Sequence, residues 1–202
     1  MSYSLIPTAD YKAACDAIRA KTGKTDLIKS GDMASLISNI ESEVAVNCVT
    51  FSSVEPFTIS VNNATKNWDG TLYYSTDEST WSEWDGTTEI VSAKHLGEQR
   101  VYMRGLGNSK ITGGSSDTNR WLLTGNNIRC HGNIENLLDY KIVATNQLPQ
   151  ISKSCYRYMF SGCTSLINAP VLPATTLVYR CYDTMFGGCT SLINAPALPA
   201  TT

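Results

Sequence analysis

Cys130 and His131 stand side by side, and a thiol next to an imidazole is the raw material of a nucleophile–base pair. Adjacency along the chain does not by itself bring the two groups together. His95 and His131 are the only two histidines, so they are the only near-neutral bases, and neither lies in a nucleophile or metal motif. Four of the seven cysteines, Cys155, Cys163, Cys181 and Cys189, recur as pairs with seven residues between partners. That separation is too long for the close Cys-x2-4-Cys half-site of zinc. All seven are expected to be reduced, with the repeated ones acting as compact buried hydrophobes. Asp77, Glu78, Glu83, Asp85 and Glu89 cluster around Trp81 and Trp84. Two carboxyls facing one groove at about 5 to 9 Å would make a sugar-cleaving pair. Here the acids fall in and beside predicted hairpin turns, which favours a solvated turn surface. Trp81 and Trp84 are retained as candidates for glycan stacking, although a small β-domain also needs large aromatics to fill its core. No catalytic residue, metal ligand or cofactor is nominated.

Whatever these residues do, composition limits the class of partner. Of the 202 residues, 42% are hydrophobic and 17% charged, and sixteen basic against eighteen acidic side chains give a formal charge of -2. No basic run or Arg–aromatic interleaving appears, so nucleic acid is not an expected partner. No apolar stretch approaches the roughly 20 residues needed to span a bilayer, so no transmembrane segment is expected. Met1–Pro7 lacks the basic start and apolar core of a secretion signal. Gly105–Asn119 is rich in glycine and small polar residues, but no Lys-Ser or Lys-Thr follows Gly113 and Gly114 as a phosphate loop requires.

The elements that must position these residues fall into four stretches. Residues 1–43 predict a short N-terminal helical hairpin. Tyr11, Ala14, Cys15 and Ile18 recur at helical spacing over 8–22, with Gly23 as a stop, and Met33, Leu36, Ile37 and Ile40 form a second stripe over 31–41. Two such helices serve equally well as an attachment module or as a lid on the next domain. Residues 44–114 carry alternating strands (46–51, 57–61, 71–75, 87–91, 100–104) separated by Asp-Gly turns, predicting a small antiparallel β-sandwich. Residues 115–152 read as an irregular capping rung and linker, with apolar residues at Leu122, Ile128, Ile134, Leu137 and Leu138.

Residues 153–202 contain two copies of a 26-residue repeat: the run beginning Cys155-Tyr-Arg-Tyr-Met-Phe-Ser-Gly-Cys163 returns as Cys181-Tyr-Asp-Thr-Met-Phe-Gly-Gly-Cys189. A unit this short cannot enclose an apolar face alone, so the copies must stack. Between copies Arg157 becomes Asp183 and Tyr158 becomes Thr184, while the apolar and turn residues stay constant. Those four variable residues, Arg157, Tyr158, Asp183 and Thr184, are taken as candidates for the solvent face and a binding surface. The fold expected overall is mainly β: helical hairpin, antiparallel β-sandwich and C-terminal leucine-rich-repeat solenoid.

The pattern Met159-Phe160-x-Gly162-Cys163-x-x-Leu166, repeated as Met185-Phe186-x-Gly188-Cys189-x-x-Leu192, resembles the core of the BspA-like leucine-rich repeats. Met stands where that family usually has Ala, and Ala-Pro follows the leucine segment. The opening, Ala17-Ile-Arg-Ala-Lys-Thr-Gly-Lys-Thr-Asp26 with Asp32-Met33, resembles the starts of phage tail and other virion-associated proteins. Together the resemblances imply adhesion or protein-surface recognition without a common catalytic activity. The expectation is a non-enzymatic phage virion component, tail, fibre or baseplate-associated, presenting its repeats to a host-surface protein or glycan and assembling with itself or with other virion proteins. A bacterial cell-surface adhesin, extracellular in location, and a carbohydrate-binding module are the alternatives.

Overall fold

The computed structural model describes residues 47–114 and 117–200. The chain divides between Ala45 and Val46, and the second unit, Val46–Thr202, is the one described below. The helical hairpin expected over 1–43 lies outside the described residues.

Ten strands and one helix follow in order among the described residues: β1 (Val49–Ser53), β2 (Thr58–Val61), β3 (Thr71–Ser75), β4 (Ser82–Glu83), β5 (Ile90–Val91), β6 (Ala93–His95), β7 (Glu98–Leu106), β8 (Trp121–Thr124), β9 (Ile128–His131), α1 (Asn136–Val143) and β10 (Leu166–Asn168). Seven strands form one sheet in the order β10-β9-β1-β7-β3-β4, with β6 also pairing with β7, and β5-β2-β8 form a second. β1 is buried along its whole length because β7 and β9 flank it on both sides. Its Val49 and Phe51 sit opposite Met103 and Val101 of β7, and all four enter the apolar core.

α1 lies against β7, and one glycine makes the approach possible. A Cβ on Gly105 would fall 1.6 Å from the carbonyl oxygen of Leu137. Asn108 fastens the same junction: its amide nitrogen donates to the carbonyls of Thr71 (2.8 Å) and Leu137 (3.0 Å), and its side-chain oxygen accepts from the Gly70 N–H (2.6 Å).

Two parts of the expected architecture are corrected. The strands are not confined to 44–114. The stretch taken as a capping rung supplies β8 to the smaller sheet and β9 to the larger, where β9 joins antiparallel β1 to parallel β10. Nor do the repeats form a leucine-rich-repeat solenoid: the larger sheet takes a single three-residue strand, β10, from the first copy, and apart from an isolated bridge of Val171 to Asn133 the rest of the described residues of both copies is turn and irregular chain. The physical reason lies in the backbone. Ser154, Tyr158 and Gly162 have positive φ (57°, 59°, 77°), as do their counterparts Arg180, Thr184 and Gly188 (57°, 55°, 75°). A left-handed residue at every fourth position breaks extended chain into successive turns. In the first copy these turns are closed by N–H donation from Arg157 to Ser154, Met159 to Tyr156 and Ser161 to Tyr158.

The two copies nevertheless lie side by side, and their alignment sets a single continuous core. Backbone N–H groups of Ser154, Tyr156, Tyr158, Phe160 and Gly162 donate to the carbonyls of Tyr179, Cys181, Asp183, Met185 and Gly187. On its other side the first copy accepts from the strand region, where Ile111 and Thr112 donate to the Cys155 carbonyl and Trp121 donates to that of Met159. Aromatic rings run through the same path: Trp68 stacks on Trp84 (centroids 5.0 Å), Trp84 meets Trp121 edge-on (5.3 Å), Trp121 meets Phe160 (6.2 Å), and Phe160 stacks on Phe186 (5.7 Å).

Candidate recognition surface

The chemistry-bearing residues are placed first. On β9, side chains alternate between faces, so Cys130 is fully buried while His131 is exposed, and the adjacent pair cannot act as a dyad. Burial holds the Cys130 thiol well above its ordinary pKa and pushes that of Cys163 up to about 12. The six described cysteines are free thiols. His95 Nδ1 lies 2.7 Å from the Tyr102 hydroxyl. Asp77 and Asp85 close turns: Asp77 accepts from the Ser79 and Thr80 N–H groups, and Asp85 from those of Thr87 and Thr88. These bonds depress both carboxyls, Asp85 to about 2 with the Thr87 hydroxyl contributing most, which leaves both ionised at neutral pH. No group of three or more His, Cys, Asp or Glu among the described residues is arranged to hold a metal ion.

The two glycan candidates part company. Trp84 is 1% exposed, sits between Trp68 and Trp121, and donates from Nε1 to the Thr88 carbonyl. It is a core residue and cannot meet a sugar. Trp81 is half-buried, and the Arg104 guanidinium lies 3.8 Å from the centre of its ring and 4.4 Å from that of Tyr140.

Of the four variable repeat residues, Arg157 is not on the solvent face. It is 8% exposed, donating from Nε to Asp183 Oδ2 (2.8 Å) and from its terminal nitrogens to the Gly114 carbonyl and the Tyr158 hydroxyl. Its guanidinium also covers the Tyr158 ring at 4.7 Å. Asp183, half-buried, binds Arg180 as well and accepts from the Thr184 hydroxyl, and that bond together with Arg157 holds its carboxyl below the usual range. Thr184 is exposed. The change from Arg157 to Asp183 between copies is therefore an ion pair across the stack.

The strongest asymmetry lies in residues that do not change. Tyr156, Phe160 and Leu166 are fully buried, whereas Tyr182, Phe186 and Leu192 at the same repeat positions are partly open. Leu172 is 4% exposed and its counterpart Leu198 is 50% exposed. The first copy is covered on one side by the strands and on the other by the second copy, while among the described residues nothing covers the outer side of the second copy in the same way. Of the eleven large hydrophobic residues exposed among the described residues, five (Leu177, Val178, Tyr179, Ile193, Leu198) fall in or just before the second copy, which locates the largest share of the apolar surface there. Sequence inspection missed Ile193 and Leu198 because their identity with Ile167 and Leu172 hides a difference that arises only from position in the stack.

No helix among the described residues is long and apolar enough to cross a membrane. Comparison of the chain with protein-family models, with curated proteins and with solved structures finds no match.

Proposed function

We propose that the protein is a non-enzymatic recognition protein that engages a macromolecular surface through the outer side of its second repeat copy, as a virion component meeting the surface of a host cell. The observation that carries this reading is the uncovering of a repeated packing face: the side chains that bury themselves against a neighbour in the first copy present the same chemistry outward in the second. Exposed apolar residues gathered in one stretch mark interaction sites more often than scattered ones do. The virion setting rests on the resemblance of residues 17–33 to the starts of phage tail proteins. The glycan reading through Trp84 has lost its ring to the core.

Fluorescently labelled protein titrated onto a panel of intact bacterial cells tests the proposal. Saturable binding to at least one member is expected, falling about tenfold in a Tyr179→Ala, Ile193→Asp double variant, which is about 1.4 kcal/mol of binding. Tyr179 and Ile193 are 67% and 74% exposed, so the variant should keep the wild-type circular dichroism and melting temperature. Binding that is undiminished in the variant, or absent across the panel, contradicts the reading.

A further inference from the structure

Resting on that reading, we propose that the outer edge of the second copy docks a polypeptide ribbon that presents a row of backbone carbonyls, as the second copy itself does toward the first. The donor row is already in place. In the first copy, five alternate N–H groups, from Ser154 to Gly162, donate to the second copy. Their counterparts are the N–H groups of Arg180, Tyr182, Thr184, Phe186 and Gly188, which have the same alternation and the same left-handed residues at 180, 184 and 188. Among the described residues none of these five makes a backbone hydrogen bond as donor. Unsatisfied donors in a row on an edge are a template for pairing with another chain.

Side chains specify the occupant further. Tyr156 stacks on Tyr182 at 5.5 Å and 19°, and Phe160 on Phe186 at 5.7 Å and 18°, so near-parallel rings accompany the ladder between the copies. The outer faces of Tyr182 and Phe186 extend that arrangement outward. The Tyr182 hydroxyl is buried without a hydrogen-bond partner. An incoming ribbon that places aromatic rings over these two, with carbonyls at every second residue, reproduces an interface that the molecule already contains.

Polarity excludes a second copy of this chain docked edge to edge. The carbonyls of the second repeat point back to the first and are taken, and those of Cys155 and Met159 in the first repeat are taken by Ile111, Thr112 and Trp121. Two molecules meeting by their outer edges would bring donors against donors. The matching edge must come from a polypeptide whose carbonyl side is free.

A synthetic peptide of residues 177–202 carries such an edge, since the carbonyls of Tyr179, Cys181, Asp183, Met185 and Gly187 have no first copy to meet in it. Added to the intact protein and followed by amide exchange in NMR, it should bind saturably at one to one and slow exchange at Arg180, Tyr182, Thr184, Phe186 and Gly188. A peptide with Tyr182→Asp and Phe186→Asp should bind about tenfold more weakly, and a scrambled peptide should not protect these amides. Unchanged exchange at millimolar peptide, or equal protection by the scrambled sequence, overturns the proposal. So does concentration-dependent protection of the same amides without peptide, which would make the occupant a second copy. If the peptide fails while Tyr179→Ala, Ile193→Asp still weakens cell binding, the ribbon is wrong and the recognition surface stands; if both fail, both readings fall.

Discussion

Glu135, fully buried at the start of α1, holds two carboxylate oxygens with no hydrogen-bond partner. Burial alone pushes its acid up to about 7. The phenols of Tyr156 and Tyr182 feel the Glu135 carboxyl electrostatically, and both are held neutral by burial first and by neighbouring ionisable groups second. A carboxyl with an unfolded value of about 4.3 binds its proton more tightly in the fold, so between that value and about 7 the native state carries the extra proton. Stability is therefore greatest below the unfolded value, falls as pH rises through the window, and is level above it, by on the order of 3 kcal/mol in all. Glu135→Gln should flatten that slope, raising the urea midpoint at pH 8 and leaving it nearly unchanged at pH 4.5. Parallel pH profiles for variant and wild type would contradict this. At the same scale, the opposite charges of Arg157 and Asp183 at one repeat position were legible in the sequence, but only as candidates for the solvent face, and the ion pair they form across the stack was not. Trp84 was not legible: nothing local separates an indole that stacks on a sugar from one that stacks on Trp68 and Trp121 across the core.

Position in the stack, rather than residue type, decides what an element contributes. Phe160 is fully buried among Phe51, Trp121 and Phe186, whereas Phe186 is half-buried and has Phe160 on one side only. Phe160→Ala should cost about 3 to 5 kcal/mol, the range for a buried phenylalanine. Phe186→Ala, with about half the packing to lose, should cost about 1 to 2 kcal/mol on the same basis. Denaturant titrations of the two variants check the difference; equal costs would mean that the second copy is covered. Among the strands, β2 and β3 could be read nearly to their ends from alternation and turn residues. The turn ribbons could not, because most of their left-handed positions fall on Ser154, Tyr158, Arg180 and Thr184, which carry no turn signature, and only Gly162 and Gly188 mark the period. The Asp-Gly turn at Trp84-Asp85-Gly86 does not join neighbouring strands into a hairpin: β4 pairs with β3 and β5 with β2, and Asp85 closes a local turn instead.

The second unit as a whole is built around one core that reaches from the strands into both repeat copies. Sequence reading divided it into sandwich, rung and solenoid because composition changes along the chain, while pairings such as β1 with β9 and β2 with β8 join segments far apart in sequence and leave no local trace. The repeat period itself was legible and so was the need for the copies to stack, since a short apolar unit cannot bury its face alone. What stacking left open was legible only from the direction of the ladder. Native-state amide exchange on the isolated protein tests this most directly. Tyr156, Tyr158 and Phe160 should be protected together with β1 and β9 and open only on global unfolding, while Tyr182, Thr184 and Phe186 exchange rapidly. Rapid exchange throughout 154–162 would show that the repeats are not part of the core, and slow exchange at 182–186 would show that the proposed recognition edge is already closed.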